Sequence, residues 1–154
     1  MPAMNIATPS FSSIAVFNKA AGDPLRLAIL RVLAQDAYGV MELSDIFQIK
    51  QSGMSHHLKV MSEAGVVAKR REGNSIFYSR ALPHIGSGRN GRSGHNYRSG
   101  LSSLHQQLYA TIDGVNLDED IQARVQRVQQ ERVEASQQFF VQQAEKFKAQ
   151  QDLI

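Results

Sequence analysis

Apolar positions along this chain form a succession of helical stripes, interrupted once by a stretch rich in β-branched and aromatic residues. From Phe11, the residues Phe11, Ile14, Ala15, Phe17 and Ala21 recur at helical spacing and predict a first helix that stops near Gly22. Asp23-Pro24 then predicts a new start, because the carboxylate accepts from free helix N–H groups and proline has no N–H to leave unpaired. Leu25, Ala28, Ile29, Val32 and Leu33 follow at the same spacing, widened by Leu27 and Leu30, so this helix is expected to be deeply packed. Tyr38-Gly39 reads as a connection, Met41, Leu43, Ile46 and Phe47 give a short helix its apolar side, and Gln48 to Lys50 read as a turn. In the helix after that turn, Met54, Leu58 and Met61 fall on one narrow stripe, while Ser52, His56, Lys59 and Glu63 fall opposite. Gly65 is the expected left-handed stop. VVAKRREGNSIFYSRAL then predicts a hairpin whose tip, Gly73-Asn74, tolerates positive φ.

A short helix, a tight turn, a second helix and a hairpin, in that order, make a winged helix-turn-helix. The fold class is therefore mainly α with a small β-hairpin, over residues 11–85, followed by C-terminal helices. The second helix is expected to be the recognition helix: one face is anchored, and the other carries hydroxyl, imidazole and ammonium groups able to meet base edges and phosphates in a major groove. Residues 1 to 10, with two prolines, read as a loose arm. Residues 86–100, almost wholly Gly, Ser, Arg and Asn, read as a flexible basic linker too poor in apolar groups to offset the entropy of folding. Residues 101–154 then carry two helices. In the first, Leu101, Leu104, Leu108 and Ile112 step by helical turns; a longer amphipathic one begins near Asp118 with acidic residues at its positive dipole end.

Composition narrows the class without changing this layout. At 154 residues, 42% hydrophobic and 20% charged, the chain fits one compact domain plus an appendage. No apolar run reaches the roughly 18 residues that span a bilayer, and the N-terminus lacks the basic region of a secretory signal, so the expected location is cytoplasmic with no membrane partner. Cysteine is absent, which removes disulfides, thiolate metal sites and thiol switches. The net charge of +3 is uneven: residues 1–85 hold nine Lys/Arg against six Asp/Glu, residues 86–100 three Arg and no acid, and residues 101–154 five against eight. A basic front half suits a polyanion, and the acidic rear suits solvent or a protein partner.

Two stretches, DPLRLAILRVL and SGMSHHLKVMSEAGVVAKRREGNSIFYS, make residues 14 to 82 resemble the ArsR/SmtB family of bacterial repressors. The signature stands here as Ser52, Ser55, His56, His57, Leu58, Lys59, Gly65 and Gly73. The resemblance implies a homodimeric repressor that binds double-stranded DNA at a palindromic operator and leaves it when a small-molecule effector binds. Carried over residue by residue, its DNA contacts are Gln51, Ser52, Ser55, His56 and Lys59 on the helix and Arg70, Arg71 and Asn74 on the wing. The angular reading gives His56 to DNA and His57 to packing. Dimerisation is expected through the first helix (Phe11, Ile14, Phe17) and the helix at 101–112 (Leu101, Leu104, Leu108, Ile112), a stripe that could alternatively line an effector pocket. Two departures from the family pattern are Lys50 in place of the usual Ser cap and Gly53 in place of a β-branched residue, so the start of this helix is expected to be frayed until DNA orders it.

Where relatives hold metal-binding cysteines on the first helix of the motif, this chain has Gly39 and Met41, and around His105 the sequence SSLHQQLY lacks carboxylates. No metal and no cofactor are expected, and the effector is not sensed through cysteine. The tail ERVEASQQFFVQQAEKFKAQQDLI is similar to the helix that joins the winged helix to a methyltransferase in one subgroup of the family. A truncated relative of such fusions and a stand-alone regulator both remain open, and S-adenosylmethionine or its demethylated product becomes a candidate effector. Gly86, Gly88 and Gly91 match the spacing of a dinucleotide loop but lack the strand and helix it needs, so composition explains them. Arg89, Arg92 and Arg98 either contact phosphates or keep the linker soluble. Adjacent histidines on a helix point about 100° apart and do not share an ion easily. Nucleophile elbow, metalloprotease helix and paired carboxylates are all missing, so no enzyme is expected. The competing reading is a protein-interaction module in which Phe139, Phe140 and Phe147 of the tail dock a partner.

Overall fold

A computed structural model describes residues 9–81 and 101–153. The N-terminal arm up to residue 8, the linker at 86–100 and the glycine and arginine positions singled out within it lie outside the described residues. The chain divides into two units, one ending at Leu117 and one beginning at Asp118.

In the first unit, α1 (Phe11–Ala21) is closed at its start by a capping box: Ser13 donates its N–H to Ser10 Oγ at 3.0 Å and Ser10 donates its own to Ser13 Oγ at 2.9 Å. The helix α2 (Pro24–Val32) begins as the Asp-Pro pair dictates, with the N–H of Arg26 donating to Asp23 Oδ1 at 3.0 Å. That hydrogen bond holds the Asp23 carboxyl below its ordinary value. The helix-turn-helix follows as α3 (Val40–Phe47) and α4 (Gln51–Glu63). Gln48 turns the chain between them at φ 54°, a left-handed conformation costly for a residue with a Cβ, and its side-chain amide donates to the Asp45 carbonyl at 2.6 Å. Gly65 ends α4 at φ 73°, as its position predicts.

The wing is β2 (Val67–Glu72) and β3 (Ser75–Arg80), antiparallel, with Glu72 opposite Ser75 across a two-residue loop. Only Gly73 has positive φ, 59°; Asn74 does not, as expected of a two-residue loop with glycine first. Tyr38-Gly39, expected to be a plain connection, is a strand: β1 (Tyr38–Gly39) pairs with β3, Tyr38 opposite Tyr78, giving a three-stranded sheet in the order β1-β3-β2. This pairing ties the wing to the front of α3.

The core is built from Ile29 and Leu30 of α2, Leu43 and Ile46 of α3, and Met54, Leu58 and Met61 of α4, with Tyr38 and Val66 closing its edges. Three sequence expectations shift. Met41 is 66% exposed, and α3 buries Leu43, Ile46 and Phe47 instead. On α1 the buried residues are Phe17 and Ala20, whereas Phe11 is 94% exposed. On α5 (Ser102–Asp113) the buried face includes His105 and Tyr109 alongside Leu101 and Ile112, with Leu104 and Leu108 half-buried at its border.

Polar groups in that face explain how they are accommodated. The Tyr109 hydroxyl donates to the Val66 carbonyl at 2.6 Å, and burial pushes its ionisation up to about 12. The His105 ring stacks on Phe17 with centroids 5.0 Å apart, joining α5 to α1, and burial lowers its pKa to about 4. Arg80, at the end of the wing, donates to the Leu30 carbonyl at 2.8 Å and to both carboxylate oxygens of Asp113 at 2.9 and 2.5 Å, with its guanidinium 4.7 Å from the Tyr109 ring centre. One arginine thus joins β3, the end of α2 and the end of α5.

The second unit is α6 (Glu119–Gln151), 33 residues and about 50 Å long. It exposes Val133 near its middle and Phe139, Phe140, Val141 and Phe147 in its far half.

Candidate nucleic-acid interface

The recognition helix α4 separates into the two faces that its sequence predicts. Met54, Leu58 and Met61 are fully buried, while Gln51, Ser52, Ser55, His56 and Lys59 are all exposed. Turning at about 100° per residue places these exposed groups on one continuous side, so five hydrogen-bonding or cationic side chains are presented together. Lys59 is loosely paired with Glu63, Nζ to Oε1 at 4.0 Å, one helical turn on; both ends are open to solvent, so the pair offers little resistance to a competing phosphate. His57 is half-buried, as the angular reading requires, and its Nδ1 lies 3.2 Å from Nη1 of Arg26. His56 stays outside, its ring 5.9 Å from that of His57 and nearly edge-on.

The start of α4 is bare. Lys50 occupies the cap position in an extended conformation and makes no side-chain hydrogen bond to the first turn. The N–H groups of that turn are therefore left without the usual side-chain acceptor at the positive end of the helix dipole. Gly53 lies on this turn, and a Cβ placed there would meet nothing within 4 Å. Open amides, a positive dipole and missing bulk together suit the close approach of an anion.

On the wing, Arg70, Arg71 and Asn74 are exposed, as predicted, but strand geometry separates the two arginines. Adjacent residues of a strand point to opposite faces, so Arg70 and Arg71 cannot meet one surface together. Arg70 is paired with Glu72 at 2.7 Å, two residues on and on the same face. Arg71 donates from Nε to the Gly73 carbonyl at 3.3 Å and shares its face with the exposed Lys69, a cation that the sequence reading left out. Period-two alternation in KRRE was the signal that could have found it.

The seven residues assigned to dimerisation divide. Phe17, Leu101 and Ile112 are buried within the protomer, Ile14, Leu104 and Leu108 are half-buried, and Phe11 projects into solvent. Among the described residues no group of three or more His, Asp or Glu side chains is spaced to hold a metal ion, and no helix is long and apolar enough to cross a membrane.

Comparison with known proteins identifies the family and the fold. Residues 23–69 match the family model described as bacterial regulatory protein, arsR family. Over 61 residues the chain is 43% identical to the HTH-type transcriptional regulator MJ1325 of Methanocaldococcus jannaschii, an alignment covering 39% of this chain and 68% of that protein. Over 70 residues it is 39% identical to the biofilm growth-associated repressor of Agrobacterium fabrum, covering 46% and 60% respectively. Among solved structures, the homodimeric winged helix-turn-helix DNA-binding domain Mb0332 from Mycobacterium bovis superimposes with a TM-score of 0.50 at 22% identity, over 73% of this chain and 88% of that one, which shows the shared fold.

Proposed function

Because the chain belongs to the arsR family of bacterial regulatory proteins, we propose that it represses transcription as a homodimer on a palindromic operator and is released by a small-molecule effector that cysteine does not sense. The observation that carries the DNA-binding part is the exposed row Gln51, Ser52, Ser55, His56 and Lys59 lying opposite the buried Met54, Leu58 and Met61. A helix anchored on one side can rest in a major groove without disturbing the core that holds it. Gln51 and Ser52, on the uncapped first turn, are placed to meet phosphates together with backbone N–H groups. Ser55, His56 and Lys59 follow along the groove, and His56 is the group with the reach and directional ring nitrogens to read a base edge. Arg71 with Lys69, and Arg70 on the other face, supply cations on either side of the wing.

Dimerisation is proposed through α1 and α5. Phe11, Ile14, Leu104 and Leu108 offer the apolar area for a partner, backed from inside by Phe17, Leu101 and Ile112. The two recognition helices would then meet half-sites about one turn of DNA, roughly 34 Å, apart.

Titration of the protein against labelled DNA from upstream of its own gene, beside random duplex of equal length, tests the reading. The expected result at moderate salt is a clear preference for the upstream fragment, and equal affinities would overturn it. A second reading, docking of a protein partner by the tail, is favoured only by the exposed Phe139, Phe140 and Phe147. If that is the main activity, a chain lacking residues 118–154 keeps its DNA behaviour and loses the partner.

A further inference from the structure

The guanidinium of Arg26 makes contacts that the packing of α2 does not require. Its Nε donates to the Ala20 carbonyl at 2.8 Å and its Nη2 to the Lys19 carbonyl at 2.8 Å, both at the end of α1. Its Nη1 reaches His57 Nδ1 on the recognition helix at 3.2 Å, and the Asp23 carboxylate lies 4.0 Å away. Only 12% of the side chain is exposed. The last carbonyls of a helix have no partner within it and carry its negative dipole end, so a cation with several donors in a rigid plane is well matched to two of them at once. With Nε and Nη2 held by those carbonyls, the direction of Nη1 is fixed. Arginine has donors only, so the His57 nitrogen that faces it must be the one bearing the lone pair.

We infer that Arg26 is a positioning residue for DNA recognition: by gripping the end of α1 and holding the His57 ring, it sets the rotation of α4 and thereby where His56 and Ser55 point. The inference rests on the proposal that α4 reads DNA. His57 is the neighbour of His56 in sequence and lies at the boundary between the two faces of the helix. A ring held there opposes rotation of the helix about its axis, which the flexible, unbranched side chains of Met54 and Met61 resist less well. The same grip makes the end of α1 part of the recognition apparatus, so a displacement of α1, one of the two proposed dimer helices, reaches α4 through one side chain. Lysine in place of Arg26 could not reproduce this, because a single ammonium group on a flexible stem cannot hold two carbonyls and a ring nitrogen in fixed directions.

Two readouts on the full-length protein test it, one without DNA. His57→Leu removes the acceptor while preserving helix propensity, His57→Asn keeps an acceptor near the position of Nδ1, and Arg26→Lys removes the rigid fork. Hydrogen exchange over residues 51–63, compared with 24–32 in the same sample, is expected to quicken in His57→Leu and Arg26→Lys and to stay near wild type in His57→Asn. Affinity for the preferred DNA is expected to fall about ten-fold in the first two variants, as loss of a charged hydrogen bond implies, with random DNA bound as before and His57→Asn close to wild type. Unchanged exchange in His57→Leu overturns the inference, as does equal impairment of His57→Asn and His57→Leu, which would make His57 a packing residue only. Should the wild type show no sequence preference, the DNA-binding proposal fails, and exchange alone still decides whether Arg26 holds α4.

Discussion

At the scale of single residues, the two neighbouring histidines show how 100° of helix separates roles. His56 is exposed on the face proposed to meet a base, and His57 is turned inward to Arg26. His56→Ala is therefore expected to cost about 1–3 kcal/mol on the preferred DNA and little on random duplex. Arg71→Ala should weaken both and reduce the slope of log affinity against log salt by about one unit. Fluorescence anisotropy across a salt series separates the two patterns, and equal losses by both variants on both DNAs would contradict the assignment. Removing the glycine penalty at Gly53 makes a third case: Gly53→Ala should raise stability by up to about 1 kcal/mol, read as a higher melting temperature, because the added methyl has open space. These exposed positions were legible from sequence because amphipathic periodicity assigns faces. Arg26 was not, since DPLR looks like an ordinary helix start and nothing local reveals that its guanidinium reaches a residue 31 positions away.

At the scale of elements, sequence read best wherever a local rule decides the outcome. The Asp23-Pro24 start, the Met54, Leu58, Met61 stripe and the Gly65 stop each rest on a few neighbouring residues, and each stands in the structure. Long-range contacts hid the rest. The strand β1 is two residues long and exists only because β3, about forty positions later, supplies the backbone partners. On α5, an apolar count finds the leucines but not His105 and Tyr109, which are buried because Phe17 and the Val66 carbonyl receive them. That burial has a pH signature. The His105 pKa is lowered in the folded state, so the unfolded chain binds the extra proton, and stability must fall as pH drops from about 6.5 toward about 4. Asp113, held below the carboxylate range by its hydrogen bonds from Arg80, adds a separate loss that begins only at lower pH still. Denaturation midpoints from pH 7 to 4 are expected to decline in the wild type and to flatten in His105→Phe; an equally steep decline in that variant would remove His105 as the cause.

At the scale of the whole molecule, the exposed and the buried halves of the proposed dimer surface should behave differently. Phe11→Asp and Leu104→Asp place charge where a partner is expected and should give folded monomers in sedimentation, with weakened operator binding. Phe17→Ala instead empties space beside His105 and should cost about 3–5 kcal/mol of stability whatever the association state. If the aspartate variants sediment as the wild type does, α1 and α5 are not the contact. The vacant space beside Gly53 supplies a ruler for the same question. Because the sequence has no cysteine, Gly53→Cys creates a single labelling point at the tip of the recognition helix without a competing thiol. Two spin labels, one per protomer, would then report the separation of the reading heads directly. A value near 34 Å matches one turn of DNA, and a change on adding a metabolite would identify the effector by the movement it causes.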